Sequence, residues 1–286
     1  MKIKGNNVLI TGGASGIGKI MGRMSLERGA AHLFIWDLNK AGIQAVIDEF
    51  KAMGLDADGR VRGYCVDVTN VANIESCYNQ IKEEFGKVDI LINSAGLITN
   101  NKVFAEQTIR DIDLTMDINA KGSMYVALTV LKDMMARNSG HICNIASEAG
   151  ILSIPKMSLY VASKWAVIGW SDSLRIEFAK AKSKVRVTTA VPYFINTGLF
   201  DGVRSPLIPI LKPEPTARKI LNAIERNRNY RGIPFSYHFS RMTETILPTW
   251  LFDWFFGSVC GVYTCMEHFK GRPEQNKAIS ENADKK

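Results

Sequence analysis

Tyr160 and Lys164 are four residues apart in a segment with helical periodicity, so both side chains project from one helix face. A cationic lysine beside a phenol lowers the pKa of the phenol from its usual value of about 10, so this pair is predicted to exchange a proton at neutral pH. Ser147 lies thirteen residues before the tyrosine, at the end of a predicted strand. Strand carboxyl ends line the ligand crevice of a doubly wound sheet, which places this hydroxyl near the pair.

A glycine-rich turn follows the first predicted strand and leads into a helix, with the sequence Thr-Gly-Gly-Ala-Ser-Gly-Ile-Gly over residues 11–18. Gly12 permits a tight turn, Gly16 lets the backbone approach a pyrophosphate, and Gly18 allows the helix to pack closely on the sheet. The helix N-terminus adds free N–H groups and a partial positive charge. We therefore predict a dinucleotide phosphate site formed by Gly12, Ser15, Gly16, Ile17 and Gly18.

Asp37 closes the second predicted strand, at the interval where an acid meets the ribose of a dinucleotide. A carboxylate there accepts hydrogen bonds from the 2′- and 3′-hydroxyls of NAD and repels the 2′-phosphate of NADP. Neither Ser15 nor Leu38 supplies a compensating cation, and Lys40 is the nearest base. The sequence therefore predicts NAD as the cofactor.

These residues are positioned by an alternation of short strands and longer helices. The predicted strands are Val8–Thr11, His32–Asp37, Val61–Val68, Val88–Asn93, His141–Ser147, Val185–Pro192 and Tyr230–Phe235. The predicted helices are Gly16–Arg28, Lys40–Met53, Val71–Phe85, Ile112–Arg137, Ser158–Ala181 and Pro215–Arg228. Apolar strands separated by helices predict an α/β fold, a single doubly wound parallel sheet of the Rossmann-like kind, with helices on both faces and a C-terminal helical extension.

No linker rich in proline or serine divides the chain, so we expect one dinucleotide-binding catalytic domain over residues 1–269. Residues 194–212 are predicted to form a substrate-side insertion, and residues 236–269 a substrate-side extension. Residues 270–286 are polar and are predicted to form a disordered tail.

Composition excludes several classes of protein. The 286 residues are 46% hydrophobic and 22% charged, which are ordinary globular values and exclude disorder along the whole chain. The five cysteines are scattered without CxxC spacing, and the four histidines pair with no other ligand, so we predict no disulfide framework and no metal. The apolar stretch near the N-terminus is too short for a signal peptide, which favours the cytoplasm. The net charge of +8 includes no basic run, so no nucleic-acid partner is predicted.

Taken together, the motifs resemble the classical short-chain dehydrogenase/reductase family over about residues 7–197. The motifs are the glycine turn, Asp67 after the third strand, Asn93-Ser94-Ala95-Gly96 after the fourth, Asn119 in a long helix, Ser147, Tyr160 with Lys164, and Pro192 after the sixth strand. Residues 36–39, 192–198 and 246–248 are most similar to the branch of retinol and 17-beta-hydroxysteroid dehydrogenases.

The resemblance implies a role for each position. Tyr160 would be the general acid in ketone reduction and the base in alcohol oxidation, and Ser147 would hydrogen-bond the substrate oxygen. Lys164 would hold the nicotinamide ribose and tune the tyrosine, and Asn119 would hold a water in a proton relay. The implied cofactor contacts beyond the glycine turn are Asp37, Asp67, Val68, Asn93, Ala95, Gly96, Tyr160, Lys164, Pro192, Ile195 and Thr197.

Two positions depart from the family pattern. Ser94 stands where Asn is usual, which is a small polar exchange in a turn. Tyr193 stands where Gly normally follows the proline, and tyrosine does not readily adopt the positive φ that glycine tolerates. The loop after Pro192 is therefore expected to hold the nicotinamide slightly differently, with the Ile195 backbone and the Thr197 hydroxyl as carboxamide partners.

Large apolar residues at near-helical spacing fill residues 246–266, namely Trp250, Trp254, Phe255, Val262, Tyr263 and Met266. Three interpretations stay open: a helix facing the core or a dimer partner, a lid over an apolar substrate pocket, or an amphipathic helix on a membrane surface. Pro248, Asp253 and two glycines disfavour a membrane-spanning helix. All three interpretations favour an apolar substrate. Glu148 is expected to be an exposed loop acid.

We therefore predict an NAD-dependent oxidoreductase that transfers hydride between nicotinamide and a bulky apolar alcohol or ketone of steroid, retinoid or long-chain type. One alternative is an NADPH-linked reductase of a small keto or acyl substrate, which Asp37 disfavours. A non-catalytic NAD-binding sensor or scaffold is the other, which the intact Tyr160 and Lys164 disfavour. Apolar residues on helices 112–137 and 158–181 predict a homodimer or homotetramer, and residues 246–266 could add peripheral membrane contact.

Overall fold

The computed structural model describes residues 1–56 and 58–271, so the greater part of the predicted tail lies outside the described residues. Seven parallel strands form one sheet in the order β3-β2-β1-β4-β5-β6-β7. The strands are β1 (Asn7–Thr11), β2 (His32–Asp37), β3 (Val61–Cys65), β4 (Ile90–Asn93), β5 (His141–Ile145), β6 (Arg186–Pro192) and β7 (Tyr230–Ile233). The predicted fold class is confirmed, whereas the division into domain and tail stays a prediction.

Nine α-helices connect or follow the strands of the described chain. They are α1 (Gly16–Glu27), α2 (Lys40–Ala52), α3 (Val71–Phe85), α4 (Ile109–Met116), α5 (Ser123–Ala136), α6 (Ser158–Lys180), α7 (Pro213–Glu225), α8 (Ser236–Ile246) and α9 (Thr249–Asp253). Apolar residues of α1, α2 and α7 form a core on one sheet face, and those of α3, α5 and α6 form a core on the other. Both faces are therefore covered, as near-continuous apolar strands require.

The direction of chain progress across the sheet reverses between β1 and β4. Thr11 at the end of β1 pairs with Trp36 of β2 on one side and with Asn93 of β4 on the other. In turn Asn93 pairs with Asn144 of β5. The carboxyl ends of these strands therefore meet at a topological switch point, where α/β sheets bind their ligands.

The long helix predicted over residues 112–137 is interrupted. It begins earlier than predicted, at Ile109, because the Thr108 side chain accepts from the Asp111 N–H while the Asp111 carboxylate accepts from the Thr108 N–H. A π-turn then spans Asp117–Gly122 and separates α4 from α5. This turn was not predictable from the sequence, because no residue type marks a π-turn within a helix.

The prediction of helical spacing through residues 246–266 is wrong beyond Val259. Leu247 is extended before Pro248, which separates α8 from α9. A π-turn over Trp254–Val259 follows α9, and Gly261 has a positive φ of 71° that ends helical structure. No helix within the described residues combines the length and the apolar character needed to cross a membrane.

Candidate active site

The glycine turn after β1 packs closely against the turn after β4. Gly12 has a φ of 66°, and a Cβ atom there would lie 2.9 Å from the Ala95 Cα. A Cβ on Gly18 would lie 2.3 Å from the Gly12 carbonyl oxygen. Thr11 Oγ1 accepts hydrogen bonds from the N–H groups of Ser94 and Ala95 at 3.0 and 3.1 Å. Side chains are thus excluded from the turn, and its backbone faces the crevice beside the N-terminus of α1.

Asp37 at the end of β2 and Asp67 after β3 lie at the carboxyl end of the sheet, as the glycine turn does. Asp37 accepts from the Ala14 N–H at 3.1 Å and from the Asn39 N–H at 3.0 Å, so it braces the glycine turn. Asp67 accepts from both the N–H and the hydroxyl of Thr69. Val68 packs against Gly122, where a Cβ atom would lie 2.7 Å from the Cγ2 of Val68. These residues border the crevice on the side away from Tyr160.

The side chain of Asn93 is directed into the protein. Its Nδ2 donates to Asn144 Oδ1 at 2.9 Å and to the Ser123 carbonyl at 3.2 Å. Gly96 follows after the turn, and a Cβ there would lie 3.3 Å from Asn119 Oδ1 and 3.7 Å from Lys164 Nζ. The predicted contact from Asn93 is therefore limited to its backbone, while Gly96 makes room for two other predicted site residues.

Asn119 lies in the π-turn and is buried. Its Nδ2 donates to the Leu97 carbonyl and to Ser163 Oγ, and its Oδ1 accepts from the Leu97 N–H at 2.8 Å. Ser163 Oγ in turn donates to the Tyr160 carbonyl at 2.7 Å. Asn119 therefore fastens the turn after β4 to helix α6. The sequence analysis did not single out Ser163, although it directly precedes Lys164 on the same helix.

Three of the four predicted catalytic side chains meet at the carboxyl end of β5. The Ser147 hydroxyl lies close enough to the Tyr160 phenol to lower its pKa, and Ser147 Oγ accepts from the Ala149 N–H at 3.2 Å. Lys164 Nζ lies 5.5 Å from the centroid of the Tyr160 ring and donates to the Ile145 carbonyl at 3.0 Å. Tyr160 and Lys164 both come from α6, one turn apart, as their spacing predicts.

The predicted pKa of the phenol is wrong for this structure. Burial raises the pKa of Tyr160, and the hydrogen bond with Ser147 opposes that shift with a smaller effect. Burial also lowers the pKa of Lys164, to about 8. Lys164 is not among the groups that lower the pKa of Tyr160. Burial disfavours both the phenolate and the ammonium form, and the ammonium group donates to the Ile145 carbonyl.

The loop after β6 accommodates Tyr193 without the backbone strain that its replacement of glycine suggested. Its φ is not positive, its N–H donates to the Ile233 carbonyl, and its hydroxyl pairs with Ser205 Oγ at 2.9 Å. Ile195 is buried and forms a bridge with Leu211. Pro192 ends β6, and the Thr197 N–H donates to the Ile195 carbonyl at 2.8 Å.

A row of aromatic rings leads from this loop to the reactive pair. The Tyr193 ring contacts the ring of Phe194. The ring centroids of Phe194 and Phe200 are 4.8 Å apart, and Phe200 meets the Tyr160 ring edge-on with 5.8 Å between centroids. Residues 236–269, here called the C-terminal cover, join the same apolar cluster through Tyr237, Phe252, Phe255, Phe256, Cys260, Val262, Tyr263, Cys265, Met266 and Phe269. A cavity of about 10 Å³ beside Tyr160 is lined by Ile98, Thr115, Met157 and Leu159.

Glu148 is buried, which contradicts its prediction as an exposed loop acid. It begins a short 3-10 turn over Glu148–Gly150 and contacts Ser240 of α8. The small residues that follow it, Ala149 and Gly150, were the available signal, because a Cβ at Gly150 would come within 3.0 Å of the Lys164 carbonyl. Because this turn packs closely against α6, the side chain of Glu148 is buried in the protein. Across residues 1–56 and 58–271, no group of three or more His, Cys, Asp or Glu could hold a metal ion.

The sheet is parallel and carries a glycine turn at its switch point, and a hydroxyl, a phenol and an amine lie at the carboxyl ends of its strands. These features together define the class of Rossmann-like oxidoreductases. The sequence model described as short chain dehydrogenase matches residues 6–207, and the chain belongs to that family. It is accordingly an enzyme of the dehydrogenase class.

Similar proteins narrow the branch of the family. The chain is 34% identical to epidermal retinol dehydrogenase 2 of Mus musculus, over 86% of this chain and 79% of that protein. It is 32% identical to estradiol 17-beta-dehydrogenase 11 of Homo sapiens, over 86% and 80% respectively. A short chain dehydrogenase/reductase from Burkholderia phymatum, solved in complex with NAD, shares the fold with a TM-score of 0.75 at 24% identity, covering 86% of this chain and 96% of that one. The predicted retinol and hydroxysteroid dehydrogenase-like branch is confirmed.

Proposed function

We propose that the protein is an NAD-dependent dehydrogenase that interconverts a bulky apolar alcohol and its ketone or aldehyde. The observation that carries the proposal is the meeting of Ser147, Tyr160 and Lys164 beside an apolar cluster. Two relatives are named for retinol and estradiol, which supports a substrate of that character. The residues of the crevice fit the cofactor, because Cβ atoms on Gly12 or Gly18 would collide with the backbone of Ala95 or of Gly12, and the glycines keep the turn tight at the N-terminus of α1.

The proposed cofactor contacts follow the sheet edge from β1 to β6. The glycine turn binds the pyrophosphate through Gly12, Ser15, Gly16, Ile17 and Gly18. Asp37 accepts from the adenosine ribose, and the remaining contacts are Asp67, Val68, the backbone of Asn93, Ala95, Gly96, Pro192, Ile195 and Thr197. When bound, the nicotinamide supplies or accepts the hydride.

The chain's own groups position the substrate oxygen and move the proton. Ser147 donates a hydrogen bond to that oxygen, and Tyr160 gives or takes the proton there. Burial keeps the phenol protonated at neutral pH, which suits it to act as an acid. Lys164 binds the nicotinamide ribose, and its ammonium group lies 5.5 Å from the centroid of the Tyr160 ring. Asn119 fixes α6, and a water relay past it to Lys164 stays a prediction.

Activity with NAD and NADH across steroids, retinoids, fatty alcohols and small alcohols tests the proposal. We expect the specificity constant for the bulky apolar compounds to exceed that for a short alcohol such as 2-butanol by at least about 10²-fold, because several buried methylenes each contribute. Equal activity with 2-butanol, or turnover with NADPH alone, would contradict the proposal.

We further propose a homodimer formed by α5 and α6. Leu128, Trp165 and Ile176 are exposed large apolar residues on these helices, and Tyr125 and Trp170 are only partly buried. A second copy related by a two-fold axis would cover this face with the same face of its own.

Light scattering at micromolar concentration should therefore give at least twice the mass of one chain. Trp165→Glu places a charge at the centre of the face and is expected to weaken association by at least about tenfold. Val71→Glu, on the exposed start of α3, serves as the matched control and should leave the mass unchanged. A monomeric wild type would refute the dimer.

The outer surface of the C-terminal cover supports a proposal of peripheral membrane contact. Ile246 and Trp250 are 70% and 72% exposed, Met242 and Trp254 are also exposed, and Phe235, directly before the cover, is 84% exposed. Aromatic and aliphatic side chains on short helices partition into the boundary between lipid headgroups and acyl chains. The net charge of +8 favours an anionic surface.

Flotation with vesicles of phosphatidylcholine and phosphatidylserine measures this contact. We expect the wild type to float with the vesicles, and Trp250→Ala combined with Trp254→Ala to reduce the bound fraction by at least about fivefold. Phe104→Ala removes an exposed aromatic ring outside the cover and should bind as the wild type does. Wild-type protein that stays below the vesicles would contradict the proposal.

A further inference from the structure

The turn after Ser147 carries a buried carboxyl group that has no part in the proposed proton transfer. Glu148 is 1% exposed, and its Oε1 lies 3.3 Å from the Oγ of Ser240 on α8. Within the described residues, Glu148 Oε2 has no hydrogen-bond partner. The contact spans 92 positions of sequence. It therefore joins the strand end that carries Ser147 directly to the C-terminal cover.

The hydrogen bonds around Ser240 favour a protonated Glu148. Ser240 Oγ also lies 3.2 Å from the Ser236 carbonyl, and one hydroxyl hydrogen cannot serve two acceptors fully. A neutral Glu148 can donate to Ser240 Oγ while the serine donates to the Ser236 carbonyl. A neutral acid also leaves a far smaller desolvation penalty at the unpartnered Oε2 than a carboxylate does.

The charges around Glu148 point the same way. Burial raises its pKa to about 7, and no cation contributes to the shift. The titratable groups that face it are the phenols of Tyr193, after β6, and Tyr237, on α8. Arg241 of α8 donates to the Tyr237 hydroxyl, and Lys164 of α6 donates to a backbone carbonyl. An ionised Glu148 is thus a buried charge without a counter-ion.

We propose that Glu148 is a positioning residue which, as a neutral carboxylic acid, fastens α8 to the turn after Ser147 and so holds the C-terminal cover beside Tyr160. Loss of its proton loosens α8 and weakens the binding of the apolar substrate. The inference rests on the proposed function of the cover as part of the substrate site. Cofactor binding, at the glycine turn, is unaffected.

The direction of the pH dependence follows from linkage. The pKa of Glu148 is higher in the folded protein than the ordinary value of 4.5, so the folded state binds the proton more tightly. The stabilising effect is fully present below pH 4.5 and is lost as the pH rises through about 7. The cover is therefore held most firmly at acid pH.

Two measurements on the full chain test the proposal between about pH 5.5 and pH 8.5. One is hydrogen exchange of peptides covering α8, corrected for intrinsic rates, and the other is KM for an apolar alcohol. In the wild type we expect exchange of α8 and KM each to rise at least about fivefold across this range. The Kd of NADH should follow the same pH profile in the wild type and in Glu148→Gln, because Lys164 titrates alike in both.

Three variants sharpen the test. Glu148→Gln keeps a neutral hydrogen-bonding group, so both profiles should become flat near the acid wild-type values. Ser240→Ala removes the contact from the other side and should raise exchange of α8 at every pH. It keeps the proposal testable even where Glu148→Gln fails to fold. Glu267→Gln removes an exposed carboxylate of the cover and should keep the wild-type profile.

A wild type whose α8 exchange does not change with pH overturns the proposal, as does a Glu148→Gln variant with the wild-type profile. If the hydrogen exchange of α8 changes with pH and this change is lost in Glu148→Gln, while KM stays constant, the contact is upheld and the substrate role of the cover is refuted. The exchange readout needs no turnover, so the two failures are distinguishable.

Discussion

Replacement of Tyr160 by phenylalanine should lower turnover by about 10²- to 10⁴-fold, the usual contribution of a positioned acid or base. The substitution removes the hydroxyl that Ser147 hydrogen-bonds and keeps the ring that packs against Phe200. The affinity for NADH should therefore stay nearly unchanged. Steady-state turnover with an apolar alcohol and a fluorescence titration with NADH measure the two effects separately.

Tyr78→Phe is the matched control. Tyr78 is also buried, but its hydroxyl donates to Asp133 on the α3 and α5 side of the sheet. Losing that hydroxyl should cost stability and leave the rate within about threefold of the wild type, because no reacting group is touched. A Tyr160→Phe variant that keeps more than a tenth of the wild-type rate would remove Tyr160 from the mechanism.

Asp37→Ala should shift the preference for NADH over NADPH by at least about tenfold, which corresponds to about 1.4 kcal/mol. The wild-type carboxylate repels the 2′-phosphate from the end of β2, and the variant removes that charge. Because Asp37 also accepts from the Ala14 N–H, alanine changes the glycine turn as well. Dissociation constants for both cofactors measure the ratio.

Asp37→Asn separates the two effects, since it keeps an oxygen for the Ala14 N–H and loses the charge. It should shift the cofactor ratio in the same direction with less loss of NADH affinity. Asp48→Ala removes an exposed carboxylate from α2 and should leave the ratio unchanged. A wild type that binds NADPH more tightly than NADH would contradict the assignment of Asp37.

The sheet was predictable because its determinants are local. Each strand is a short apolar run that must be covered on both faces, and each helix repeats its apolar residues at three and four positions. The positions of Tyr160, Lys164 and Ser147 follow from that pattern, because strand ends and helix faces fix them. The π-turn around Asn119 does not, since it changes backbone hydrogen bonding without changing residue types.

Features set by tertiary burial were beyond the sequence. Ala149 and Gly150 indicate a closely packed turn after Glu148, but the contact of its carboxyl group with Ser240 of α8, 92 positions away, follows only from the tertiary structure. The pKa of Tyr160 depends on two opposing effects, and burial, which raises the pKa, outweighs the interaction with Ser147, which lowers it. Residues 246–266 show helical spacing, yet Pro248 and Gly261 divide them. At Glu148 and Tyr160 a local pattern competes with contacts distant in sequence, whereas residues 246–266 are divided by a proline and a glycine of their own.

The small cavity beside Tyr160 has a kinetic consequence. Its volume of about 10 Å³ holds roughly one water molecule, whereas sites for drug-sized ligands enclose about 300 Å³ or more. A bulky alcohol does not fit in that volume, so we expect it to lie beside Tyr160 only after an opening movement of the side chains that line the cavity. Association is then gated by that opening at a rate shared by different substrates, and discrimination among them appears in their residence times.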